Sequence, residues 1–238
     1  MKGSSTTEVI AAVFAVAVVP CFGATVLTEA FSYPTGPIVG ATGSPWVSHS
    51  GATAGQVDVA GGVLNLTSAE TEDVSAPLVG QPFTTGQMTA AMSVTFSALP
   101  TATGSYFAHF KDGASGFRGR LTASTTGAAA GFFRLGISND GGATVYDTTD
   151  LSLATSYAVS FTWNLDTNQS SFSGNWGPKV TDTDATTAIS VTSFAFRQAT
   201  GMGTLTVDNL SVVSAPIPEP SSVLLGAIGV LGLLRKRR

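Results

Sequence analysis

Three features of these 238 residues point to an all-β chain, folded as an antiparallel two-sheet jelly-roll sandwich. Apolar side chains recur at every second position, the pattern of a strand with one buried face. Gly, at 27 residues, and crowded Ser and Thr punctuate those runs, while only 11% of the chain is charged, a mixture that suits short strands and many turns. No long amphipathic helical pattern interrupts them, and a spacing that accommodates roughly ten to fourteen strands argues for two sheets packed face to face.

The first element stands apart from that pattern. Residues 9–19 are apolar throughout, about eleven positions, the length of a signal-peptide core and short for a membrane span. Lys2 places a positive charge ahead of the run, partly offset by Glu8, and Pro20-Cys21-Phe22-Gly23 permits cleavage after Gly23. Residues 1–23 therefore read as a helical signal peptide handed to the export machinery. Cys21, the only cysteine, falls in this segment, so no disulfide is expected in the rest of the chain. Lipidation at Cys21 would need a small residue where Pro20 stands.

Residues 24–215 carry the strand signals. Met88, Ala90, Met92, Val94 and Phe96 alternate with Thr89, Ala91, Ser93, Thr95 and Ser97, and Tyr157, Val159, Phe161, Trp163 and Leu165 repeat the pattern; each apolar set is expected to face a core. Shorter strands are expected at 57–59 and 63–66, joined by Gly61-Gly62, and at 106–110, 132–137, 189–196 and 205–212. Asn139-Asp140-Gly141-Gly142 and Asp166-Thr167-Asn168 stand where hairpin turns are needed. Between Ala24 and Pro220 the six basic residues, Lys111, Arg118, Arg120, Arg134, Lys179 and Arg197, face fourteen acidic ones. The resulting charge of about −8 repels nucleic acid.

Residues 216–238 have three parts in a set order. Pro218-Glu219-Pro220 forbids a helix and holds an extended stretch. Residues 223–234 are apolar, about twelve positions or roughly 18 Å as a helix, against a bilayer core of about 30 Å. Arg235, Lys236, Arg237 and Arg238 then form a basic tip of the kind that stays at the cytoplasmic face with the preceding domain outside. This order resembles the tails of bacterial PEP-CTERM proteins. The resemblance implies that Pro218, Glu219 and Pro220 are recognised or cleaved by an exosortase, a membrane protease-transpeptidase. It also implies at least transient membrane anchoring through the short helix, and a place in the cell envelope or on the extracellular surface of a bacterium that makes exopolysaccharide.

A looser resemblance spans the middle. Thr28-Glu29-Ala30-Phe31-Ser32-Tyr33, Tyr157-Ala158-Val159-Ser160-Phe161-Thr162-Trp163-Asn164-Leu165-Asp166 and Leu205-Thr206-Val207-Asp208-Asn209-Leu210-Ser211-Val212 are similar to segments of concanavalin- or laminin-G-like modules. Where related modules carry an aromatic-Val-Asn-Pro strand, this chain has Ser171-Phe172-Ser173-Gly174-Asn175-Trp176-Gly177-Pro178. Carbohydrate-binding jelly rolls that it resembles place a structural calcium between first and last strands, which nominates Glu29 and Asp208 as ligands here.

Catalytic chemistry finds little purchase. His49, in a Ser-rich loop, and His109, in a strand, are the only histidines and read as structural; no Gly-x-Ser-x-Gly elbow, P-loop or dinucleotide fingerprint occurs. Glu70, Glu72 and Asp73 read as a solvated loop rather than as the carboxylate pair of a glycosidase. Trp46 and Trp176, in Gly-, Ser- and Pro-rich stretches, are candidates for stacking on sugar rings, or else cap the ends of the sandwich. The expected function is therefore non-enzymatic: a sorted envelope or matrix protein whose sandwich binds carbohydrate, exopolysaccharide included, or protein. A secreted glycan-active hydrolase and a purely structural surface coat stand as the alternatives.

Overall fold

A computed structural model describes residues 23–51, 53–139, 141–182 and 187–216. The expected signal helix, the apolar tail helix, Pro218-Glu219-Pro220 and the basic tip lie outside these residues. The described residues form sixteen β-strands and no α-helix. The strands are β1 (Ala24–Glu29), β2 (Gly36–Pro37), β3 (Val47–Ser50), β4 (Asp58–Ala60), β5 (Val63–Thr67), β6 (Asp73–Pro77), β7 (Gln87–Ala98) and β8 (Ser105–Lys111). They continue with β9 (Phe117–Ser124), β10 (Arg134–Ser138), β11 (Val145–Tyr146), β12 (Ser156–Asn164), β13 (Gln169–Gly174), β14 (Gly177–Asp182), β15 (Ser193–Arg197) and β16 (Thr204–Ala215).

All pair antiparallel in two sheets. One has nine strands, in the order β14-β13-β12-β7-β16-β5-β4-β2 with β1 also on β16; the other has seven, in the order β11-β10-β9-β8-β15-β6-β3. Strand β16 pairs with β7 and divides its other edge, residues 204–207 taking β5 and residues 210–214 taking β1. Asn209, at φ 53°, sits in the irregularity between Asp208 and Ser211 where that edge changes partner.

The expected alternation holds where the strands are long. Met88, Ala90, Met92, Val94 and Phe96 of β7 are buried, as are Val159, Phe161 and Trp163 of β12, with Phe161 opposite Ala90 and Trp163 opposite Met88. The strand count exceeds expectation because β2 and β11, of two residues each, are too short to show a period, whereas the strand expected at 57–59 is present as β4. Expected strands at 132–137 and 189–196 begin later, at Arg134 and Ser193, because Phe133 and Val191 make only isolated bridges, to Leu151 and Phe83.

The core lies between the sheets. Phe110 and Phe194 of the seven-stranded sheet meet Phe161 of the other at ring-centroid distances of 5.3 and 5.9 Å, and Phe107 meets Phe96 at 5.8 Å. Each such fully buried aromatic contributes about 1.5–3 kcal/mol of transfer free energy.

Candidate functional site

Alternation along β15 turns Phe194 and Phe196 into the core and leaves Ser193, Ala195 and Arg197 on the outer face of the seven-stranded sheet. The ladder sets Ala195 beside Ser75 of β6 on one side and His109 of β8 on the other. From β3 to β8 is three strand spacings, about 14 Å. Because Ala195 and Ser75 are small, the imidazoles of His49 and His109 reach over them and meet edge to face, with centroids 6.3 Å apart.

Two irregularities complete this cluster. A register shift in β8 between Tyr106 and Ala108 sends Phe107 to the core and leaves Tyr106 on the outer face, its ring 5.3 Å from that of His109. In β9, Gly119 at φ 58° separates two arginines. The Arg118 guanidinium lies 5.8 Å from the core-facing Trp163 ring, whereas Arg120 lies over Tyr106 at 4.6 Å and Phe117 at 5.5 Å. Arg197 reaches Tyr106 from the other flank of β8, at 4.3 Å. It donates to Ser105 Oγ at 3.0 Å, and its Nε stands 3.8 Å from Asp73 Oδ2, which also accepts the Ser50 hydroxyl at 2.5 Å.

A cleft of about 430 Å³ opens beside the cluster, with Ser50, Asp73, Ser105, Arg197, Gln198 and Thr200 in its lining. Two buried side chains of that lining hold a polar atom that no hydrogen bond satisfies, Asp73 Oδ1 and Gln198 Nε2. The other end of the Gln198 amide is fixed by accepting the Thr67 N–H at 2.8 Å. Burial, foremost, pushes the Asp73 carboxyl above the ordinary range. His109 is fully buried, and burial, followed by the charges of His49, Arg120, Arg197 and Lys111, holds it well below the ordinary histidine value. Burial and Lys111 bring His49 down to about 4. The ring nitrogens of both histidines are buried without a hydrogen-bond partner.

The residues nominated from sequence fall elsewhere. Glu29 is turned inward, where its carboxylate accepts the Phe31 N–H at 2.8 Å, the Tyr33 hydroxyl at 2.6 Å and Trp46 Nε1–H at 3.1 Å. Burial and that carboxylate push the Tyr33 phenol up to about 12. Asp208 is out of phase with buried Val207 and Leu210 and accepts from the exposed Asn209. Glu29 pairs with Leu210 in the ladder, so the structure does not bring Glu29 and Asp208 together as calcium ligands. Among the described residues, no group of three or more His, Cys, Asp or Glu is arranged to hold a metal ion.

Trp46 is not an exposed platform for sugar: it is 2% exposed and packs on Phe31 and Phe196 at 6.3 and 5.3 Å. Local loop composition misleads here because the indole is buried and donates to Glu29, seventeen residues away in the chain. Trp176 is half-buried, edge to face with Tyr157 at 5.3 Å and donating to Asp147 Oδ2 at 3.2 Å. Glu72 and Asp73 do not form a solvated loop either. Glu72 is fully buried and accepts the backbone N–H groups of Gln56 and Val57, and Asp73 opens β6.

Comparison with known proteins addresses the segment beyond this domain. A family model described as the PEP-CTERM protein-sorting motif matches residues 216–238. The chain carries a PEP-CTERM sorting motif. That motif implies export, sorting to the cell surface and processing by an exosortase. No curated protein matches the chain.

Among solved structures the fold is similar to a protein described as a sialidase, with a TM-score of 0.50 and 14% identity, covering 80% of this chain and 19% of that one. This chain thus spans about a fifth of the sialidase, and the likeness concerns the fold alone: an all-β, concanavalin-like sandwich of two antiparallel sheets. The carbohydrate recognition domain of Emp47p matches with a TM-score of 0.46 and 12% identity, over 81% of this chain and 95% of that one. Alginate lyase A1-II' of polysaccharide lyase family 7 matches with 0.48 and 13%, over 70% and 86%.

Proposed function

We propose that this surface-sorted protein is a non-enzymatic component of the cell envelope or extracellular matrix, whose sandwich binds polysaccharide on the outer face of its seven-stranded sheet. The observation that carries this reading is the open cleft over Asp73 and Arg197. Sugars are held by donors and acceptors in fixed positions beside an aromatic face. Asp73, Ser105, Arg197 and Gln198 line the cleft and supply the first; Tyr106, outside the lining but in contact with Arg197 at 4.3 Å, is the adjoining aromatic ring.

Binding rather than turnover fits the burial of the histidines. A general base must come within hydrogen-bond reach of the proton it takes, and the ring nitrogens of His49 and His109 are closed off from solvent. In this reading residues 223–234 hold the chain in the membrane, with the basic tip at the cytoplasmic side, until the exosortase acts at Pro218-Glu219-Pro220.

Affinity electrophoresis of the full-length chain through gels containing exopolysaccharide from the producing bacterium tests the proposal. Retardation is expected, and its loss in Asp73→Ala. Equal mobility with and without polysaccharide overturns the reading, and new reducing ends in the gel would replace binding with hydrolysis.

A further inference from the structure

Half of the Lys and Arg residues between Ala24 and Pro220 converge on one sheet face. Lys111 of β8, Arg120 of β9 and Arg197 of β15 are three of six in a segment with fourteen acidic residues, and both histidines stand with them. We propose that this face binds an anionic sugar, its carboxylate or sulfate group held by Arg197 beside the Tyr106 ring. The proposal rests on the polysaccharide-binding reading and names the ligand class.

The geometry supports an anion in three ways. First, one phenol ring carries two guanidiniums, at 4.3 and 4.6 Å, brought to it by the two strands that flank β8. The contact with Tyr106 and the hydrogen bond to Ser105 hold the Arg197 guanidinium as a planar donor already in place, a fork that matches a carboxylate or sulfate. Second, the carboxylate nearest Arg197 does not close on it. Asp73 stands at 3.8 Å, beyond a charge-assisted hydrogen bond, and burial favours its neutral form. Third, Gln198 Nε2, buried in the lining of the same cleft as Arg197, has no acceptor, and an anion supplies one.

The test measures binding of the full-length chain to immobilised polygalacturonate, dextran sulfate and neutral dextran. At least one polyanion is expected to bind about tenfold or more tightly than dextran, weakening as salt rises. Polygalacturonate alone would name the carboxylate and dextran sulfate alone the sulfate. Arg197→Gln is expected to lose about tenfold, Lys111→Gln less, and Lys179→Gln on the other sheet nothing. Thermal melts establish that each variant folds, and if Arg197→Gln does not, Lys111→Gln carries the comparison. Equal affinity for dextran and the polyanions, or unchanged polyanion affinity in the folded Arg197 and Lys111 variants, overturns the anion proposal. Dextran binding that Asp73→Ala abolishes would overturn it while sparing the polysaccharide reading, and no binding to any of the three polymers overturns both.

Discussion

His49 and His109 stand edge to face over Ala195 and Ser75, 6.3 Å apart, although two strands lie between theirs. Their ring nitrogens are buried, and the charges that shift their titration are basic. The pair is buried and neutral, and that arrangement has consequences for stability.

Stability should fall with acid. An unfolded histidine titrates near 6.5, and the folded His49 near 4, so between these values the unfolded chain binds more protons and stability drops as pH falls. His109 acts in the same direction. Asp73, raised by burial, acts oppositely: its contribution is present at low pH and is lost as pH rises through its folded value. Circular dichroism melts should show Tm falling by about 3 °C or more between neutral pH and about 4.5. A Tm independent of pH contradicts the buried neutral pair.

Glu29 and Asp208 should behave unlike partners. Glu29→Gln weakens a buried carboxylate that accepts three hydrogen bonds and should cost about 1–3 kcal/mol, whereas Asp208→Asn on the outer face should stay within about 0.5 kcal/mol. Urea unfolding with and without added calcium measures both. Equal, calcium-dependent losses would point to a shared ion.

The two tryptophans should separate in the same way. Trp46→Ala empties a core position beside Phe31 and Phe196 and should cost about 3–5 kcal/mol. Trp176→Ala, at a half-buried position, should cost less than about 2 kcal/mol. Neither should abolish polysaccharide retention by folded protein.

Gly119→Ala should cost about 1–2 kcal/mol, because φ is 58° there and a methyl would stand 3.3 Å from the Phe110 ring. Chemical denaturation reads the loss.

Long strands were legible in the residues and the site was not. In β7 and β12 every second side chain is apolar, and period two is the geometry of a strand. The cluster depends on departures from that period. Tyr106 and His109 are three apart and belong to opposite faces until the bulge in β8 brings them together, and Phe117 and Arg120 are likewise joined by the turn at Gly119. Long-range pairing did the rest: nothing local to Trp46 announces Glu29, and nothing local to Glu72 announces the backbone of Gln56 and Val57. The clue that could have found the site was the scarcity of cations, because in an acidic chain Lys111, Arg120 and Arg197 are few enough to be followed one by one.

Hydrogen exchange of the full-length chain, with and without bound exopolysaccharide, is the most direct test that the seven-stranded sheet is the binding face. Slowed exchange is expected in β3, β8, β15 and residues 198–200, with the nine-stranded sheet unchanged. Protection confined to β12, β13 and the Trp176 turn would contradict it and move the binding face to the opposite sheet.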